Sequence, residues 1–382
     1  MSFGRRELSG AVADLGVLVP IAVALIVKNG LSPTAVLLPA GLLYITVSFV
    51  YRLPVPVQPL KALGAIAIAK GLGSDEIAAA ALVLGSIFLV LGRIGALDLA
   101  ARAFPRALIR GVQLTVGLLF LKIAWGLVSD PPESFGHFAA PPAWAIPLAA
   151  GGVIVALALR RHPVSLVLVG AGAVVMLLRA GHDGALGPSS LSFPSLDGGT
   201  FWTAFTVLVL PQLPLSFANS CLATADAARV YFPEAEAERV RPGRLASTLG
   251  LANLFSGAIS GMPVCHGAGG MTAHVAFGAR TGGAPLAIGT ALTAIAIAAG
   301  SGLAALLPAY PLPILAALLA TAGLLHIALL RDLRGAPAWA LAAGVGVIGF
   351  EVNLAIAVGL GLAVWWLARG ATVLRGALSP AG

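Results

Sequence analysis

The chain has 382 residues, 59% of them hydrophobic and only 10% charged, and its mean hydropathy is +0.98. Soluble domains carry roughly 25% charged residues, so this composition excludes a water-soluble fold and points to a polytopic protein of the lipid bilayer. A formal net charge of +8 would suit a nucleic-acid binder. In so apolar a chain it reads instead as loop arginines that orient membrane spans, and no nucleic-acid partner is expected.

A spanning helix needs about 20 apolar residues. In chain order, spans are expected at about 8–27, 31–51, 75–92, 108–128, 143–159, 163–180, 202–224, 245–260, 284–307, 312–330, 336–350 and 351–368. Two further segments are too short or too broken for plain spans. One starts at Leu53-Pro-Val-Pro-Val-Gln-Pro-Leu-Lys61 and runs to about Gly71; the other starts at Pro263 and runs to about Phe277. Each reads Pro-Val, then a polar residue, then a short helix. In the second, Pro263 lacks an N–H, and the glycines at 261, 267, 269 and 270 weaken any helix before Thr272. Irregular backbone at membrane depth is tolerated only where protein buries it or where it lines a polar cavity. A helix that begins there aims unpaired N–H groups and a positive dipole end at one spot, which is an anion site. Paired interrupted segments in two halves are the strongest sequence pointer to a transporter site.

The loop charges test the count. If both short segments cross, there are fourteen elements, and 18 of the 23 basic residues fall on the side of both termini. These run from Arg5 and Arg6 through Arg110, Arg160, Arg161 and Arg229 to Arg375, while Lys28, Lys70 and Arg179 fall opposite. The positive-inside rule then makes that side cytoplasmic, with the loop Ser129–Pro142 outside. Seven elements per half, about 8–180 and 202–368, give halves of opposite orientation. The expected fold class is therefore an all-α seven-plus-seven inverted repeat with broken half-helices as third and tenth elements. The whole chain, 1–382, reads as a single transmembrane transport domain in the cell (inner) membrane, with no cleavable signal peptide and no cytoplasmic regulatory domain. The two cysteines, Cys221 and Cys265, lie in membrane segments and form no disulfide framework.

Four ordered motifs carry a resemblance: Glu7-Leu-Ser-Gly-Ala-Val-Ala-Asp-Leu-Gly16, Pro54-Val-Pro-Val-Gln-Pro-Leu-Lys-Ala62, Phe217-Ala-Asn-Ser220, and Met262-Pro-Val-Cys-His-Gly-Ala-Gly-Gly270 with Phe277-Gly-Ala-Arg-Thr-Gly282. Over essentially its whole length the chain resembles the molybdate transporter family of plants and prokaryotes, related to the sulfate permeases. The resemblance implies a core domain moving against a scaffold domain, an oxyanion bound between the third and tenth elements, and dimers formed through scaffolds. Sulfate permeases commonly have a carboxylate at the position of Asn219, associated with cation coupling; its absence here leaves the coupling ion open.

The candidate substrate-binding residues are Gln58, Lys61, Asn219, Ser220, Cys265, His266, Gly267, Ala268, Gly269 and Gly270. Gln58 either donates its amide to an oxyanion or caps local backbone. Lys61 either offsets the dianion, pairs with Asp14 or Asp226, or snorkels toward the cytoplasm. Asn219 and Ser220, mid-span beside a break expected at Pro211 and Pro214, serve the site or a helix–helix hydrogen bond. His266 either donates and switches with pH or orients the broken backbone; the residues from Gly267 to Gly270 act through backbone N–H groups. Asp14 and Asp226 are candidate coupling carboxylates, or helix caps, Asp226 beside Arg229. Cys221, Cys265 and His266 match no metal-ligand spacing, so no metal or cofactor is expected.

The expectation is thus a secondary-active carrier, not an enzyme, for a tetrahedral oxyanion. Molybdate, with tungstate, is preferred on the resemblance alone. Sulfate, bicarbonate or nucleobase carriers, a passive anion channel, and a membrane metalloenzyme using Cys265, His266 and His274 are the alternatives.

Overall fold

The structure is a computed structural model that describes residues 1–159, 162–180 and 186–378. Arg160 and Arg161 of the charge count lie outside the described residues. In the first half the helices are α1 (Arg5–Val12), α2 (Leu15–Asn29), α3 (Pro33–Tyr51), α4 (Lys61–Lys70), α5 (Ser74–Arg93), α6 (Ala96–Ala101), α7 (Arg106–Ser129), α8 (Pro142–Ala158) and α9 (Val164–Ala180), with strand β1 (Gln58–Pro59) before α4. The second half has α10 (Gly198–Thr203), α11 (Leu210–Leu215), α12 (Thr224–Tyr231), α13 (Glu234–Ala237), α14 (Pro242–Ala258), strand β2 (Val264–Cys265), α15 (Ala268–Ala276), α16 (Gly283–Ala298), α17 (Leu303–Leu306), α18 (Leu312–Ile327), α19 (Ala336–Glu351) and α20 (Leu354–Leu378).

Among the described residues six helices can cross a membrane by length and composition, or seven if α16 and the bent segment after it count as one; α8, α9, α19 and the stretch Leu354–Arg369 of α20 are shorter apolar helices. With α14 and the half-helices α4 and α15 they make the fourteen elements expected. Four boundaries differ. The first span is two helices, interrupted at Ala13–Asp14. The eighth runs from Gly198 to Tyr231 without a break, because the missing donors of Pro211 and Pro214 are absorbed in two π-helical stretches, Ala204–Val209 and Ser216–Ala223. The eleventh stops at Ala298, short of the expected 307, and the chain turns by 79° into Gly300–Ala309. Finally, α15 starts at Ala268, ahead of Thr272. Its glycines pack closely, and that tertiary contact outweighs their weak helix propensity.

Packing repeats the order of the two halves. The second element lies on the eleventh (α3 on α16) and its mate, the fourth on the ninth (α5 on α14); the fifth and twelfth, α7 and α18, pack on each other. All three contacts are made through small residues, as expected where lipid supplies no hydrophobic drive between helices. A Cβ on Gly41 would stand 3.0 Å from the Gly289 carbonyl oxygen, one on Gly85 2.9 Å from that of Gly250, and one on Gly117 3.0 Å from that of Gly323. The heaviest packing falls within two groups of elements, one to four with eight to eleven and five to seven with twelve to fourteen, and these are joined by α18 against α15 and α2 and by α1 against α9.

The loop motifs also have an explanation. The buried Glu7 carboxylate accepts from the backbone N–H groups of Arg280, Thr281 and Ala284 and from the Thr281 hydroxyl, at 2.8–3.3 Å. It thereby ties the first helix to the turn leaving α15. In the opposite loop, Lys28 lies 2.9 Å from Glu133 and holds that carboxyl below the usual carboxylate range.

Candidate functional site

The two interrupted segments meet. β1 and β2 pair antiparallel, Gln58 opposite Cys265 and Pro59 opposite Val264, and the Leu60 N–H continues the ladder to the Pro263 carbonyl at 3.1 Å. Prolines at 54, 56, 59 and 263 keep the chain extended here and remove donors that a longer sheet would need. Helices α4 and α15 start at once after these strands. Their N-cap residues, Leu60 and Gly267, supply no side-chain cap. The positive ends of two half-helices therefore face one buried spot.

Side chains at this spot form a chain of donors and acceptors. Gln58, fully buried, donates from Nε2 to Asp14 Oδ1 at 2.5 Å, and Lys61 Nζ donates to Gln58 Oε1 at 2.5 Å. Lysine has only donors, so its contact fixes which end of the Gln58 amide faces Asp14. Gln58 keeps a second amide hydrogen and Lys61 keeps two ammonium hydrogens. Asp14 Oδ2 is buried with no partner. Lys61 Nζ stands 5.6 Å from the centre of the Phe120 ring. It forms no ion pair with Asp14 or Asp226, so of the three alternatives the sequence leaves open, direct pairing is not the one seen, and Lys61 reaches Asp14 through Gln58.

The glycines of α15 provide clearance. A Cβ on Gly270 would fall 2.6 Å from both Asp14 Oδ2 and Gln58 Nε2, and one on Gly269 would fall 2.7 Å from the Phe120 ring. A Cβ on Gly267 would collide with Gln58 Oε1 and stand 3.5 Å from Lys61 Nζ. Lys61 thus lies against the N-termini of both half-helices, and three positive features converge with Asp14 as the nearby carboxylate.

Asn219 and Ser220 lie buried in the second π-helical stretch, where wide turns at a membrane site are a recurrent device. Asn219 Oδ1 has no partner, and the Ser220 hydroxyl lies against the Cys265 thiol. Cys265 itself points its Sγ at the Pro59 carbonyl, 3.4 Å away.

His266 turns away from the spot. Its Nδ1 meets the Pro56 carbonyl at 3.0 Å and its Nε2 the Thr248 hydroxyl at 2.9 Å, so both ring nitrogens are occupied in bracing the broken backbone. His274 bonds the Gly10 carbonyl at 2.6 Å, far along α15. Among the described residues no three His, Cys, Asp or Glu side chains gather as a metal site.

Several residues that hold the site lie outside the sequence expectation. Asn253 brackets Val264, accepting from its N–H at 2.9 Å and donating to its carbonyl at 2.8 Å. Gln212 accepts from the Leu63 N–H in the first turn of α4 at 2.9 Å. Both are single amides inside apolar runs, which is the signal that marks them. Asp226 pairs with Arg110, not Arg229. Arg110 is a fully buried helix residue rather than the loop charge the count assumed.

A cavity of about 500 Å³ opens between α12, α15 and α18, lined by Tyr231, Thr272, Arg6, Arg280 and Arg331. It lies on the arginine-rich side and reaches the flank of α15 opposite the strands.

Comparison with known proteins gives this geometry a family. The family described as "Molybdate transporter of MFS superfamily" matches residues 6–120 and 204–325, which contain both half-helices. Molybdate transporter 1 of Arabidopsis thaliana is 29% identical over 371 residues, covering 86% of this chain and 80% of the plant protein. Molybdate transporter 1 of Chlamydomonas reinhardtii is 27% identical, covering 86% and 84%. In fold, the transmembrane domain of the cyanobacterial bicarbonate transporter BicA superposes with TM-score 0.59 at 17% identity, covering 94% of this chain and 98% of BicA's. Murine Slc26a9, an anion transporter in the inward-facing state, superposes with TM-score 0.60 at 15% identity, covering 95% and 68%. The halves of MFS proteins are related by an axis along the membrane normal. Seven elements per half instead give halves of opposite orientation, and with the two superpositions the fold is that of the latter transporters despite the MFS label. The chain belongs to the molybdate transporter family, on the inverted-repeat fold of anion transporters.

Proposed function

We propose that this protein is a secondary-active carrier of a tetrahedral oxyanion, molybdate first and tungstate alongside it. The observation that carries the reading is the convergence on one buried point of Lys61 and two half-helix N-termini whose N-cap residues supply no side-chain cap. A dianion there gains fixed N–H donors and a cation without a covalent step. Gln58 and Lys61 donate through their remaining hydrogens, Asn219 and Ser220 complete the shell from the π-helical stretch, and the residues from Cys265 to Gly270 contribute backbone. His266 acts by orienting that backbone. The naming of the plant and algal relatives as molybdate transporters supports the choice of anion.

Transport proceeds by alternating access. The group of elements one to four and eight to eleven carries the anion past the other group, within a single domain whose repeats run about 8–180 and 202–368. The termini face the cytoplasm and the protein resides in the cell membrane. Asp14, with one oxygen unpartnered beside Gln58, is the better placed coupling carboxylate; Asp226 is committed to Arg110.

Uptake into proteoliposomes tests the reading. Labelled molybdate should enter saturably, with tungstate competing at similar concentration and sulfate, bicarbonate and uracil competing poorly. Equal competition by sulfate makes the protein a general oxyanion carrier, and currents without saturable uptake make it a channel.

A further inference from the structure

We infer that Arg110 is a gate residue, whose pair with Asp226 closes the cleft between the two packed groups on the arginine-rich side of the site. Arg110 sits four residues into α7, in the group of elements five to seven and twelve to fourteen, and its side chain is fully buried. It contacts two carboxylates that belong to different groups. Nε donates to Asp332 Oδ1 at 2.9 Å and Nη2 to Asp332 Oδ2, a two-pronged contact within its own group. Nη1 donates to Asp226 Oδ2, on α12 of the other group, and to Gln113 Oε1 at 2.7 Å. Gln113 Nε2 also reaches across, to the Ala223 carbonyl at 3.4 Å and Asp226 at 3.3 Å.

The inequality of these contacts suggests the function. Removing one partner of a buried ion pair ordinarily strands a charge at large cost. Here Asp226 can withdraw with its helix while the bidentate Asp332, itself joined by Arg106 at 2.6 Å, keeps Arg110 compensated. The contact across the cleft is single and separable, and the contact within the group is double and retained. Its position fits a gate. Asp226 follows Asn219 by seven residues, about 10 Å along the helix axis, and so lies between the candidate site and the arginine-rich loops.

This inference rests on the carrier reading above, yet it is read without substrate, so the two can fail separately. The chain has two cysteines, both buried. In a Cys221→Ala background, Cys265 at the site reports whether the cleft is open. Labelling by a membrane-impermeant maleimide from the arginine-rich face should speed up about tenfold in Asp226→Asn, as expected when a term favouring the closed state is lost. It should stay near the parent rate in Asp332→Asn, which leaves the pair across the cleft in place. Equal rates in Asp226→Asn and the parent, or equal acceleration in Asp332→Asn, would overturn the assignment. If Asp226→Asn does not fold, Gln113→Cys with Ala223→Cys serves instead. A bifunctional thiol cross-linker should then stop uptake and a cleavable one should restore it on reduction, while undiminished uptake after complete cross-linking would overturn the gate.

Discussion

Helices α4 and α15 reach the site by the same route, a proline-bearing extended segment paired as β1 with β2, yet one brings side chains and the other brings room for them. Gln58 and Lys61 stand at the start of α4 and carry the polar relay from Asp14. The corresponding turn of α15 is Gly267-Ala-Gly-Gly270, and three of its positions have no space for a Cβ. A pseudo-symmetric backbone thus supports an asymmetric site. The two helix ends supply equivalent dipoles, and the repeats have divided the remaining work into a donor half and a clearance half. The division also explains why His266, the most conspicuous titratable residue of the second motif, faces away: its ring braces Pro56 and Thr248, and the clearance half has no room for another side chain at the centre.

The sharpest way to break this division is to fill the clearance half. Gly270→Val drives methyl groups into Asp14 and Gln58, where even a Cβ stands at 2.6 Å. Uptake should fall by at least about 100-fold with protein still inserted, since core overpacking displaces what it meets; near-normal uptake would show that α15 stands off from α4. Emptying the donor half comes next. Lys61→Gln keeps a hydrogen bond to Gln58 and removes the charge, and it should raise the KM for molybdate about tenfold or more while leaving thermal stability nearly intact. A drop in stability with unchanged KM would make Lys61 structural.

Smaller effects separate supports from ligands. Asn253→Ala removes two hydrogen bonds to Val264 and should lower stability by about 1–3 kcal/mol, read as a lower melting temperature that bound molybdate partly restores. His266→Gln retains donor and acceptor character, and the pH profile of uptake should keep its shape; a moved profile would make His266 a pH-switching donor instead of a brace. Least of all, Lys28→Gln removes the exposed contact to Glu133. The lowered Glu133 value means that this contact stabilises at neutral pH and is lost as pH falls through that value. The variant should transport normally, with any change in melting temperature vanishing in acid.

Much of this fold was legible in the sequence because membrane spans are written in long apolar runs and their direction in loop arginines. The half-helices were legible because proline and glycine cannot be placed casually at membrane depth. Tertiary compensation was not legible. Pro211 and Pro214 read as a break in the sequence, whereas in the folded eighth element their missing donors are absorbed by π turns. Arg110 reads as a loop charge in the sequence because its two carboxylate partners lie 116 and 222 residues away. Gln212 and Asn253, which the sequence reading does not single out, are amides in apolar runs, and nothing local says that they face the backbone of the half-helix segments.

Calorimetric titration of molybdate into the purified protein, beside Gln58→Ala, tests the central claim most directly. Gln58 joins the donor half to Asp14 and opens the first half-helix. Saturable binding that resists excess sulfate and weakens by about 100-fold in the variant, roughly 2.7 kcal/mol, is the result the account predicts. Molybdate binding of equal strength in both proteins would contradict it, because the anion would then sit elsewhere than between the two half-helices.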